Sequence, residues 1–132
     1  MIALAAAIGG ACGAMLIFTM HRIGMLAERS GTAVLLAAIA SFYPVFAVMS
    51  GDLASIAVHA TIFAGFLALA AYGFRVGMYI LAGGIIAHGV FDIGLMFLPA
   101  PGPEWWPAFC AGVDIAAGTA LVRLMQKRKV PQ

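Results

Sequence analysis

The sequence predicts an all-α fold, a polytopic membrane helix bundle of about five transmembrane helices, and three observations predict it. Of the 132 residues, 64% are hydrophobic and only 9% charged, where a soluble domain carries about 25% charged residues. The mean hydropathy is +1.08. The apolar residues also fall into runs of the length a bilayer demands, roughly 20 residues for a hydrocarbon core about 30 Å thick. A chain so poor in charge cannot cover a water-facing surface, and 1–132 reads as a single transmembrane domain.

The first run is Ile2 to Met20. A signal peptide opens with a basic segment, but here the first basic residue is Arg22, so the expectation is an uncleaved span. A polar stretch, His21 to Ser30, separates it from the second run, Thr32 to Ser50, which contains Pro44. Only Gly51 and Asp52 precede the third run, Leu53 to Gly73, so these two spans form a tight antiparallel hairpin. Phe74 and Arg75 lead into the fourth, Val76 to Leu98. The segment Pro99-Ala100-Pro101-Gly102-Pro103-Glu104 cannot be helical, because proline lacks the backbone donor and restricts the residue before it. The fifth run, Trp106 to Leu124, ends in a basic tail of Lys127, Arg128 and Lys129.

Orientation follows from the basic residues, which collect in cytoplasmic loops. With five spans, Arg22, Arg29, Arg75, Arg123, Lys127, Arg128 and Lys129 all fall on one side, while Asp52 and Glu104 fall on the other. The expectation is therefore an outside N-terminus and a cytoplasmic C-terminus. Trp105 and Trp106 then belong to the outer interface, where amphipathic rings anchor or roof a pocket. Gly9 and Gly13, beside Ala6 and Gly10, form a small-residue stripe that suits close helix packing, within one chain or across a homo-oligomer.

Ionisable residues inside a span are costly and need partners or water. Four qualify: His59, His88, Asp92 and Asp114. No Lys or Arg lies deep enough to neutralise the aspartates. They must be protonated, paired with histidine, bound to a cation or reached by water. Counted at helical rise from the outer ends of their spans, His59 and Asp92 lie about 9 Å deep, Tyr43 about 10 Å, Asp114 about 12 Å and His88 about 15 Å. Residues of four spans thus share one layer of the outer half. His88 and Asp92, Cys110 and Asp114, and Ser55 and His59 are each four apart and share a helix face. Pro44 frees the carbonyl of Ala40 beside Tyr43. Cys12 reads as a mid-membrane packing residue and Cys110 as a small buried one; their depths differ, so no disulfide is expected between them. The inner half offers little polarity besides Tyr79 and Thr119, which argues against a water-filled pore through one monomer.

Four functions fit this layer. The first is a membrane enzyme on a small lipophilic substrate, with catalytic residues His88, Asp92, Asp114, His59 and Tyr43 supplying acid and base. The second is a divalent metal site, with His59, His88, Asp92 and Asp114 as an N/O ligand set for zinc, iron or manganese. The third is proton- or metal-ion-coupled transport. The fourth is an accessory subunit of a membrane complex, in which the polar layer serves only to join helices. The sequence has no phosphate loop, nucleophile elbow or CxxCH haem motif, and its partners are expected to be the lipid bilayer, without nucleic acid. The basic tail favours anionic headgroups.

The run His88-Gly89-Val90-Phe91-Asp92, the segment Trp105-Trp106-Pro107, the pair Cys110 and Asp114 spaced as CxxxD, and Tyr43-Pro44-Val45-Phe46 together resemble a family of small bacterial integral membrane proteins of unknown function. The resemblance covers most of the chain. It implies a membrane location, the bacterial cytoplasmic membrane, and no established activity.

Overall fold

The computed structural model describes residues 1–127 and 129–131; Arg128 of the expected basic tail lies outside the described residues. It contains α1 (Ile2–Arg22), α2 (Arg29–Ala40), α3 (Phe42–Ser50), α4 (Leu53–Val76), α5 (Met78–Leu95) and α6 (Trp106–Gln126). Taking α2 and α3 together as Arg29–Ser50, five segments are long and apolar enough to cross a membrane. The chain is an all-α bundle of membrane-spanning character.

Helix boundaries depart from the expected runs in physically simple ways. The first helix continues through His21 and Arg22, and the second span begins at Arg29. Polarity alone does not stop a helix. The span containing Pro44 is broken at Ser41, because proline cannot donate to the carbonyl of Ala40. Ser41 covers this end by donating its hydroxyl to the Ala38 carbonyl at 2.7 Å. The third span runs past Gly73 to Val76, and a single extended residue, Gly77, separates it from α5. The fourth span ends at Leu95 rather than Leu98, ahead of the proline segment.

The predicted hairpin between α3 and α4 is built as the sequence requires. Gly51 closes α3 with φ +72°, a left-handed conformation that glycine adopts without steric cost. Asp52 caps α4 by accepting from the amides of Ala54 and Ser55, at 3.2 and 3.1 Å.

The helices pack in a chain of neighbours. α1 lies chiefly on α6, α6 on α5, and α5 on α2 and α4, which also pack on each other. The small-residue stripe serves this packing within one chain. A side chain at Gly9 or Gly13 would strike the carbonyl of Phe109 or Val113, and one at Gly112 would strike that of Ala6. Close backbone approach of this kind is how helices associate in lipid, where apolar burial gives no drive. The outward faces carry large apolar side chains such as Leu4, Phe18, Val34, Val58 and Val90. That is the surface a hydrocarbon solvent calls for, and soluble monomers rarely expose large apolar patches of this kind. Cys12, expected to serve packing near mid-membrane, is exposed on this outward face, because the inward stripe of α1 is taken by Gly9, Gly13 and Ile17.

The two halves of the bundle differ in chemistry. The main apolar core, including Ile17, Leu36, Leu81, Ile85, Leu121 and Met125, fills the half bearing the basic residues. At that end, Arg29 donates to the carbonyls of Phe74 and Arg75 at 3.4 and 3.1 Å, tying α2 to α4. The opposite half, toward Asp52 and Glu104, holds Tyr43 and the buried polar residues His59, His88, Asp92 and Asp114, whereas the basic half buries Thr32.

Candidate metal centre in the polar half of the bundle

α5 carries His88 and Asp92 one helical turn apart on its buried face. α6 presents Asp114 to the same point. Gly89 permits this approach: a Cβ there would lie 3.0 Å from the Cβ of Asp114. His88 Nδ1 is 2.7 Å from Asp114 Oδ2 and 3.2 Å from Asp92 Oδ2. The three side chains offer donor atoms within 4.8 Å of one another, and none is more than 1% exposed.

Tyr43, from the α3 segment that follows the Ser41 break, donates its hydroxyl to Asp92 Oδ1 at 2.7 Å. The other oxygen, Asp92 Oδ2, is within ion-pair range of His88 but lacks a hydrogen bond of proper geometry. It is thus a buried acceptor with spare capacity, aimed at the point where the His88 nitrogen and Asp114 meet. Buried polar atoms are nearly always satisfied, so an atom left in this condition needs an explanation.

Aromatic rings wall the cluster. Phe66 meets the His88 ring edge to face at 4.8 Å between centroids, and Phe91 meets Tyr43 in the same way at 5.8 Å. His59 stacks on the other face of the network, 5.6 Å from the Tyr43 ring and 22° from parallel. Its Nδ1 is buried without a partner. His59 is not among the converging donors, so the expected four-residue ligand set is a group of three, with His59 standing behind Tyr43. Toward Asp52, His59 lines an open cleft of about 510 Å³, bounded by Ser50, Asp52, Ser55 and the Pro99–Pro101 loop.

Cys110 is buried on α6, one turn from Asp114. Trp106 packs among Phe42, Phe46 and Phe109, with ring centroids at 5.0, 5.2 and 5.7 Å, and so closes the end of the bundle beside α3. Trp105 remains exposed. Phe66 was not singled out in the sequence, and Gly89 and Phe91 entered only as members of the run from His88 to Asp92. Phe66 lies seven residues after His59, two turns along one face of α4, which was the available signal.

Chemically, a neutral imidazole and two carboxylates form a dianionic site that a divalent cation neutralises. The same atoms are also satisfied by protons shared between His88 and the aspartates. No family model, no curated protein and no solved structure matches the chain.

Proposed function

We propose that this integral membrane protein uses His88, Asp92 and Asp114 as the ligands of a divalent metal ion, of the zinc, iron or manganese class. The observation that carries the reading is the convergence of three donor atoms within 4.8 Å, in which Asp92 Oδ2 has no hydrogen-bond partner of its own. Imidazole with carboxylate suits these metals. Tyr43 fits the orienting role that outer hydrogen bonds play for ligating carboxylates. Three protein ligands leave a position for water or substrate, as catalytic zinc sites do. Set among Phe66, Phe91 and Tyr43, such an ion would promote hydrolytic or acid–base chemistry on a small lipophilic substrate.

The basic end of the bundle belongs on the cytoplasmic side by the rule that Lys and Arg stay inside. The site then lies in the outer half of the bilayer, and the cleft above His59 faces outward. The resemblance to small bacterial membrane proteins supports placement in a bacterial cytoplasmic membrane.

Elemental analysis of the detergent-purified protein tests the reading, before and after loading with zinc, iron or manganese. One equivalent of metal in wild type, lost in Asp92→Ala, is the expected result. Absence of a bound metal after loading with each of the three would sink it. A proton-holding site is the second reading, favoured because Tyr43 donates to Asp92 and the His88 nitrogen lies 3.2 Å from Asp92 and 2.7 Å from Asp114, close enough to share a proton with either. Histidine titration by NMR, shifted in Asp114→Asn, would then be the signature.

A further inference from the structure

The basic end holds a second feature, unconnected with the polar cluster. α1 and α6 part there to leave a groove of about 240 Å³. Phe18 and Leu124 supply apolar walls, and His21, Arg123, Lys127 and Lys129 line it as well. Among the described residues that line it, none is acidic. The two lysines are not on a loose tail. The Lys129 amide donates to the Leu124 carbonyl at 2.9 Å, and Val130 is buried against the core. Lys129 and Val130 are thus held back against α6, and both lysines share the groove with Arg123.

We propose that this groove binds one anionic phospholipid, with its phosphate among the four basic side chains and an acyl chain along Phe18 and Leu124. Charge complementarity selects the headgroup. Arg123, Lys127 and Lys129 meet no acidic side chain among the described residues of the groove, and an anion relieves their mutual repulsion. The apolar walls select lipid over free phosphate, since an inorganic anion makes no use of them. Basic pockets between transmembrane helices at the cytoplasmic side recognise headgroups in this way. The inference is independent of the metal reading.

Native mass spectrometry of the full chain, released from detergent with phosphatidylglycerol or phosphatidylcholine, tests it. Wild type is expected to retain one phosphatidylglycerol in preference to phosphatidylcholine. The variant Arg123→Gln/Lys127→Gln/Lys129→Gln should lose that preference, by roughly fivefold for each cation removed. Ala120→Trp fills the groove without changing charge and should also abolish retention. Arg75→Gln removes a cation of the same end outside the groove and should leave it intact. The proposal is overturned if the triple variant retains phosphatidylglycerol as wild type does, or if Ala120→Trp does. It is equally overturned if Arg75→Gln loses as much per charge as the triple variant. Displacement of the lipid by millimolar glycerol 3-phosphate would mark a free-anion site and overturn it too.

Discussion

His88 on α5 and Asp114 on α6 meet at 2.7 Å through Nδ1 and Oδ2, across the helix pair that forms the middle of the bundle. A pin of this kind serves stability, ion binding or both, and one substitution separates the contributions. Asp114→Asn keeps the shape and an oxygen that accepts from His88. Polar contacts between helices in lipid average only about 0.6 kcal/mol, so the fold should survive with a loss on the order of 1 kcal/mol. Metal affinity should fall by more than about a hundredfold, beyond the range seen when only an outer partner is lost. Unfolding in mixed micelles and a competitive metal titration measure the two effects. A large stability loss with unchanged metal affinity would make the contact structural.

Tyr43→Phe probes the next contact outward. It deletes the hydroxyl that donates to Asp92 Oδ1 at 2.7 Å but keeps the ring stacked on His59. Freed from this bond, the Asp92 carboxylate can rotate away from His88. Metal affinity is expected to fall about 10- to 100-fold, the usual effect of losing such a partner. Circular dichroism and monodispersity should not change. If affinity stays at the wild-type level, the tyrosine hydroxyl only satisfies a buried carboxylate.

Much of this layout was legible in the sequence, for reasons that particular residues make plain. Span number follows from run length, and depth follows from helical rise, so the shared layer of Tyr43, His88, Asp92 and Asp114 could be read without coordinates. Lateral convergence could not. Whether two side chains at one depth meet depends on helix rotation, which here is set by contacts such as Gly9 with Phe109 and Gly89 with Asp114. His59 shows the difference: its depth matches the cluster, but its direction places Tyr43 in between. Cys12 shows it again, since depth said nothing of the face it occupies. Helix ends were misread wherever polarity and helical continuity disagree, as at His21 and Arg75.

The α1/α6 seam gives a pair of matched substitutions. A Cβ at Gly13 would run into the Val113 carbonyl, whereas one at Gly10 would sit at an ordinary 3.8 Å from that of Gly112. Both changes gain the same intrinsic helix propensity, about 1 kcal/mol. Gly13→Ala must push α1 off α6 and should destabilise by about 1–3 kcal/mol. Gly10→Ala should be neutral or stabilising. Equal effects in mixed-micelle unfolding would show that the two helices do not approach as closely as the seam requires.

The cleft above His59 makes the last prediction, on access and orientation together. Ser55 lines the cleft one turn above His59 on the same face of α4. In a background with Cys12→Ser and Cys110→Ser, Ser55→Cys should react with a charged methanethiosulfonate reagent, because that chemistry needs a thiolate and thiolates persist only in water. Reaction should occur from the outer side of the membrane, the side opposite the cytoplasm. If the cleft is also the path of the ion, the bulky adduct should slow metal loading at least several-fold while leaving the final stoichiometry at one. The contacts that would relay this effect run from His59 to Tyr43 and from Tyr43 to Asp92. Labelling only from the cytoplasmic side would reverse the proposed orientation. Unreactive cysteine would mean the cleft is filled by lipid, and the ion would then have to enter between helices.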